Sequence, residues 1–375
     1  MINEKVTDTA TKIIIIMIIF TMLGFFGFLI YLFCYADINE DTISMNEPVY
    51  SEANIAYEEN ITEISQNKQT IELISNSSNN SEILEGSSTK IKYYYDQLEN
   101  NAKIIYDALE NNKDNFKKGN YIVNLSTRFN SLLHQSDGER LLTDACQSAW
   151  DAFTYDNPDI FYIELSKISL ITEYTTIGNT TTYSVSIGPG ENRNYFQQSF
   201  SSQLQVEDAI KEIEEIKNNI IQTASGNDYD KVLKVHDTLA NILEYETTIS
   251  GVNIHNIYGA LKEKKCVCEG YAKALKYILD SMNIPCILVS GIATNTNGTT
   301  ESHMWNYVKL DGNWYGVDVT WDDPIIMGAS ITNNIRHTYL CKGSNVFNKT
   351  HKINGQISQN GIVFLYPDLN TVDYK

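Results

Sequence analysis

Apolar residues recur every three to four positions in five stretches of the chain, the spacing of helices that bury one face. The first, 91–112, runs through Tyr94, Leu98, Ile104, Ile105 and Leu109. The second, 139–155, carries Leu141, Leu142, Ala149, Trp150 and Phe153, with Asp137 placed to cap it and Asp156-Asn157-Pro158 to stop it. The third, 205–224, is strongly charged outside a stripe of Val206, Ala209, Ile213, Ile216 and Ile220. Gly226-Asn227-Asp228 breaks the pattern, and 229–245 resumes it behind Asp228 as N-cap, carrying His236. The fifth opens at Cys268, buries Tyr271, Leu275, Ile278 and Leu279, and ends at Ile284-Pro285. Between the helices, 161–176 and 180–187 are rich in strand-forming residues and are joined by Ile177-Gly178-Asn179 as a turn. Residues 286–291 read as a strand, and two more strands flank Asp311-Gly312, a favoured two-residue hairpin turn. Helices mixed with antiparallel strands predict an α+β fold.

Ahead of residue 90 the pattern changes. Residues 13–36 hold no charge and are dominated by Ile, Phe, Leu and Met. As a helix they would span about 36 Å, enough to cross a ~30 Å hydrocarbon core with some tilt. The run is longer than the apolar part of a cleavable signal, and bulky residues around Cys34 leave no small-residue processing site, so it reads as an uncleaved anchor. Lys5 and Lys12 precede it, while Asp37, Glu40, Asp41 and Glu47 follow. The positive-inside rule then puts the N-terminus in the cytoplasm and the rest outside. Residues 37–89, rich in Asn, Ser and Glu, read as a disordered stalk. The expected organisation is a cytoplasmic tail at 1–12, a transmembrane anchor at 13–36 and a stalk at 37–89. An α+β module at 90–200 and a catalytic domain at 201–375 follow.

A formal net charge of -19 lacks the basic surface that phosphate binding needs, which argues against nucleic acid as partner. Five of the six cysteines lie outside the apolar run, too few for a disulfide scaffold in a domain of this size.

The chemistry concentrates between residues 254 and 324. Cys268 stands at a helix start, where unpaired N–H groups carry about half a positive charge and favour a thiolate nucleophile. Pairing Leu310 with Asn313 across the Asp311-Gly312 turn sets His303 opposite Thr320, with Asp318 one diagonal step away on the same face. His303 and Asp318 are thus predicted to bond across adjacent strands.

Three blocks carry a family resemblance: Val267-Cys268-Glu269-Gly270-Tyr271-Ala272, then His303-Met304-Trp305-Asn306, then Trp314-Tyr315-Gly316-Val317-Asp318-Val319-Thr320-Trp321. In this order they resemble the transglutaminase-like superfamily, and more closely its bacterial membrane-anchored or secreted members. The resemblance implies a papain-like α+β core and a Cys-His-Asp triad. Cys268 is then the nucleophile, His303 the base and acid, and Asp318 the residue that orients His303. It also implies acyl transfer on amide bonds through a thioester; no cofactor is expected, and no metal-ligating residues are identified. The acceptor is water in a peptidase or amidase, or an amine in a crosslinking enzyme. The expected partners are protein or peptide substrates, with cell-wall peptides among them, and the membrane through the anchor.

Tyr258 is a candidate oxyanion donor, against packing beneath the catalytic helix. Trp305 and Trp321 are candidates for lining the cleft, against serving in the core. Cys266 reads as a bystander and His134 as a structural or exposed residue. A zinc site from Cys266, Cys268 and His255 or His303 is disfavoured by the one-residue cysteine spacing and the missing second pair. The rival function is a non-catalytic module binding peptide or wall polymer, and an intact triad argues against it.

Overall fold

A computed structural model of the chain describes the backbone of Ala56–Ile61 and, in full, residues 92–246, 251–295, 297–323 and 335–375. The apolar run 13–36, the rest of the 37–89 stretch and Pro324 lie outside these residues. No helix among the described residues is long and apolar enough to cross a membrane.

All five periodic stretches form helices: α1 (Asn100–Asn111), α2 (Gly138–Asp156), α3 (Gln203–Thr223), α4 (Asp228–Ile242) and α5 (Cys268–Ser281). Their starts differ from expectation where side chains recruit backbone groups. α1 begins nine residues late because the N–H groups of Tyr94 and Tyr95 turn aside to the Asp156 carboxylate, at 3.4 and 3.2 Å. Asp137 does precede α2, but its carboxylate pairs with Arg140 and caps nothing. α4 is capped one residue earlier than expected: Asn227 accepts from Asp230 N while the Asp230 carboxylate accepts from Asn227 N. That reciprocal pair satisfies two helix-end donors at once.

Among the described residues, ten strands form three sheets. β1 (Ala56–Ile61), β2 (Val123–Ser126), β3 (Ser169–Ile177) and β4 (Thr180–Gly188) lie in the order β1-β3-β4-β2, with β1 parallel to β3, so residues 56–61 of the expected disordered stalk instead form a sheet strand. The predicted hairpin is β3-β4, closed through Gly178 at φ 62°. Residues 161–168 instead make turns whose side chains enter the core. β5 (Glu244–Tyr245) pairs in parallel with β6 (Lys265–Cys266). The third sheet is antiparallel, in the order β10-β7-β8-β9, from β7 (Cys286–Thr294), β8 (Thr300–Leu310), β9 (Asn313–Val317) and β10 (His351–Ile353).

α5 packs against β7, β8 and α4. Lys276 of α5 is buried, and its ammonium donates to both Asp280 oxygens and to the carbonyl of Cys286 at 3.0 Å, which fixes the helix to the start of β7. One apolar cluster runs from Tyr94 to Phe364, so the expected 90–200 and 201–375 segments share a core rather than standing as separate modules. The cause lies in α2. It buries residues around most of its circumference, including Leu142, Trp150 and Phe153, and so needs neighbours on several sides. Polar ties cross the same boundary: Tyr94 donates to the carbonyl of Leu288, and Ser358 Oγ donates to Asp151 Oδ2 at 2.6 Å.

Asp156 accepts from two backbone N–H groups and from the Tyr106 hydroxyl at 3.1 Å. Asp156→Ala is expected to lower unfolding stability by about 2–3 kcal/mol, because buried donors lose their acceptor. Asp156→Asn, which keeps one acceptor oxygen, should lose less. Chemical denaturation checks this, and an unchanged midpoint for the alanine variant would contradict it.

Candidate active site

Cys268 is the first residue of α5, behind an extended Val267. The local sequence forces this placement. β6 pairs with β5, and Val267 N then donates to Ile254 O at 3.0 Å, which turns the chain sharply into the helix. A Cβ at Gly270 would lie 2.4 Å from Cys266 Cβ and 3.0 Å from Ile254 O, so glycine alone lets β6 fold back on the first helical turn. Cys266 thereby becomes the buried floor, and burial together with the neighbouring Cys268 pushes its thiol well up. Cys268 is 5 % exposed and occupies the helix head.

The hairpin keeps the predicted register from Leu310↔Asn313 to Asn306↔Val317, through a turn with Asp311 and Gly312 both at positive φ. It does not extend to His303 and Thr320. β9 ends at Val317 because Asp318 Oδ1 accepts from Trp321 N at 3.2 Å and caps a helical turn, Val319–Asp322. His303 instead faces Gly291 of β7, where a Cβ would meet Lys352 O at 2.1 Å and the Trp305 ring at 2.5 Å. The His303–Asp318 bond still forms, from the strand end, with Nε2 2.8 Å from Asp318 Oδ2.

His303 and Asp318 are both buried. Burial works against charge on each, yet the pair overrides it. Asp318 and Cys268 hold the imidazole well above its ordinary value, and His303 holds Asp318 well below the usual carboxylate range. The Cys268 side chain also hydrogen-bonds the imidazole. With Nε2 turned to Asp318, Nδ1 is the nitrogen left to exchange a proton with the thiol.

Two residues join this cluster that no motif singled out. His351 of β10 places Nε2 3.1 Å from Asp318 Oδ2 and Nδ1 2.9 Å from Thr350 Oγ1. Burial keeps its pKa below the ordinary value despite Asp318, so it stands neutral and donates its Nε2 proton to the carboxylate. The signal was a lone histidine outside every motif, brought in by the pairing of β10 with β7. Tyr245 of β5 is the second. It pairs with Cys266, two residues before Cys268, and burial first and then Cys268, Glu301 and Asp318 push its pKa up.

The expected oxyanion donor is placed elsewhere. Tyr258 stacks on Phe161 at 5.8 Å and meets Phe200 edge-on at 5.3 Å, and the charges that act on its hydroxyl are Glu212 and Glu263. Aromatic packing decides that position. Trp305 belongs to an inner apolar cluster with Ile287, Val289, Tyr307 and Phe347, so it serves the core rather than a cleft wall. Trp321 lies nearer the surface, 5.4 Å from His303 and 5.0 Å from His351 by ring centroids, with its indole N–H on Glu301 Oε1 at 3.3 Å. His134 lies away from the thiol, 3.0 Å from Thr181 O and edge-on to the Tyr183 ring at 5.2 Å. His255 bonds Glu269 at 3.0 Å, and no metal-capable trio among the described residues includes Cys266 or Cys268. Such trios are His236-Asp237-His337 and His303-Asp318-His351.

Other motif residues hold the parts together. Asn306 Nδ2 donates to Ala272 O of α5 at 3.0 Å, and Tyr271 Oη donates to Asp323 Oδ2 at 2.7 Å. A thiol at the head of a central helix, against an antiparallel sheet that supplies a His–Asp pair, defines a papain-like α+β core. Residues 214–319 match the model of the transglutaminase-like superfamily. Kyphoscoliosis peptidase of Mus musculus is 23% identical over 124 residues, covering 30% of this chain and 19% of that protein. The Homo sapiens protein is 23% identical over 137 residues, covering 34% and 20%. The chain thus spans about a fifth of the length of these relatives. Among solved structures, a TGase is similar at 15% identity and TM-score 0.29, covering 46% of this chain and 49% of its own. A putative cysteine protease from Cytophaga hutchinsonii is similar at 18% identity and TM-score 0.25, covering 42% and 66%.

The five described cysteines are free, and burial raises Cys146, Cys266 and Cys286 and pushes Cys341 up to about 12. Iodoacetamide at neutral pH is therefore expected to label Cys268 first, read by peptide mass. Equal or faster labelling of Cys266 would contradict the assignment of the reactive thiol.

Proposed function

We propose that the protein is a thiol-dependent acyl-transfer enzyme acting on carboxamide bonds of proteins or peptides, with water as the final acceptor. The observation that carries this is the buried His303–Asp318 pair meeting a thiol at a helix head. Cys268 Sγ attacks the carbonyl carbon, forming a C–S bond and a tetrahedral oxyanion. The imidazolium of His303 gives its proton to the leaving nitrogen, the C–N bond breaks, and a thioester remains. His303 then takes a proton from water, which attacks the thioester. The acid is released and the thiol is restored. Asp318 keeps the ring in one tautomer and stabilises its charged form.

The oxyanion is held by the backbone N–H at the head of α5 and by the hydroxyl of Tyr245, which pairs with Cys266 two residues before the thiol. Water is chosen over an amine because the matching relatives are named peptidases. Residues 13–36 tether the enzyme and leave the site outside the membrane, toward surface or wall peptides.

Incubation with glutamine-containing peptides, with and without a primary amine, reads the acceptor by mass. Shortening or deamidation is the expected product. Amine incorporation would reassign the enzyme to crosslinking, and no change would favour a binding module. Cys268→Ala should abolish turnover with the fold intact by circular dichroism, and persistent turnover in that variant would refute the mechanism. Tyr245→Phe should lower kcat by about 10²-fold with little change in KM, as removal of an oxyanion donor does. An unaltered kcat would exclude the hydroxyl from that role.

A further inference from the structure

A second histidine cluster lies outside the thiol site. α4 carries His236 and Asp237 in succession, and the segment after residue 335 brings His337 to them. His236 Nδ1 lies 3.0 Å from Asp237 Oδ1, and His337 Nε2 lies 2.8 Å from the same oxygen. The three donor atoms all fall within 4.8 Å of one another. His236 is fully buried, and its other nitrogen, Nε2, is 3.2 Å from Asp322 Oδ2.

A neutral imidazole has one N–H, yet this ring faces a carboxylate oxygen at each end. A buried lone pair set against a buried carboxylate is repulsive. The arrangement is complete with a positive centre at one end of the ring, supplied either by a second proton on the imidazole or by a metal ion at the partly exposed Asp237 end. The Asp322 end is a closed hydrogen-bond site, because that carboxylate also accepts from Thr338 N and Tyr339 N at 2.8 and 2.9 Å. The Asp237 end is where a second imidazole converges, and the His337 side chain there is 46% exposed.

We propose that His236 Nδ1, Asp237 Oδ1 and His337 Nε2 bind one divalent transition-metal ion of the zinc type, with solvent completing the coordination. Two imidazole nitrogens and one carboxylate oxygen suit such an ion. Asp322 behind Nε2 supplies the carboxylate that commonly backs a metal-bound histidine and fixes its tautomer. Ligands about 2.0 Å from a tetrahedral ion stand roughly 3.3 Å apart, so the 2.8 and 3.0 Å contacts to Asp237 Oδ1 would open by a few tenths of an ångström to admit the ion, a shift open to the exposed His337. The ion ties α4 to the segment after residue 335. Through Asp322 it also ties both to the helical turn that Asp318 caps. It does not touch the thiol, and it acts by holding one wall of the site in place.

The test uses the full-length chain in detergent with Cys268→Ala, so that the thiol cannot take the ion. The protein is stripped with a chelator and dialysed to equilibrium against Zn²⁺ alone. One zinc ion per chain is expected. His337→Ala, at an exposed side chain, should abolish this uptake, and Asp322→Asn should weaken it about 10–100-fold. His351→Ala should leave it unchanged. Absence of uptake, or uptake unaffected by His337→Ala, overturns the proposal. So does uptake lost with His351→Ala, which would put the ion on the His303-Asp318-His351 trio instead.

Discussion

The structure depends on the burial of one carboxylate. An ion taken out of water costs several kcal/mol unless partners replace its hydration. Asp318 is buried and its oxygens meet three donors: His303 Nε2, His351 Nε2 and Trp321 N. Each donor comes from a different piece of chain. β8 brings His303, β10 brings His351, and the turn following β9 brings the backbone N–H of Trp321. The strand order β10-β7-β8-β9 is what allows all three to converge. The negative charge secured there sustains the charged form of His303, the partner of the thiol.

The motif residues beyond these three fix distances between elements. Gly270 admits Cys266 and Ile254 against the first turn of α5, which sets the height of Cys268. Asn306 holds β8 to α5, and Tyr271 holds α5 to Asp323, just past the capped turn. A shift in any of them would move the thiol relative to the imidazole without touching either.

How much of this could be read from sequence follows from how local each signal is. The five helices were legible because their apolar stripes repeat over three or more turns, and the hairpin because Asp311-Gly312 needs two residues at positive φ. The end of β9 was hidden. Val319 and Thr320 are β-branched and continue the strand pattern, so only the Asp318 bond to Trp321 N reveals a cap. Asn227 was missed as the cap of α4 because Asp228 beside it is an equally good capping type, and Asp230 three residues on decides between them. Tyr245 and His351 join the site through strand pairings that no local pattern encodes, with β6 and β7 respectively. Tyr258 was displaced by a tertiary choice, its stack on Phe161 nearly a hundred residues earlier. The shared core of the two expected segments was hidden for the same reason: α2 reads as an ordinary amphipathic helix until its neighbours on several sides are known.

The central claim is that His303 carries a positive charge sustained by Asp318 on one side and Cys268 on the other. Titration of the His303 ring followed by NMR tests it most directly. In the unaltered chain the ring should remain protonated well above the usual histidine range. In Cys268→Ala its midpoint should fall, because one of the two groups that raise it is gone. A His303 that titrates at or below the ordinary value, or a midpoint indifferent to loss of the thiol, would contradict the account.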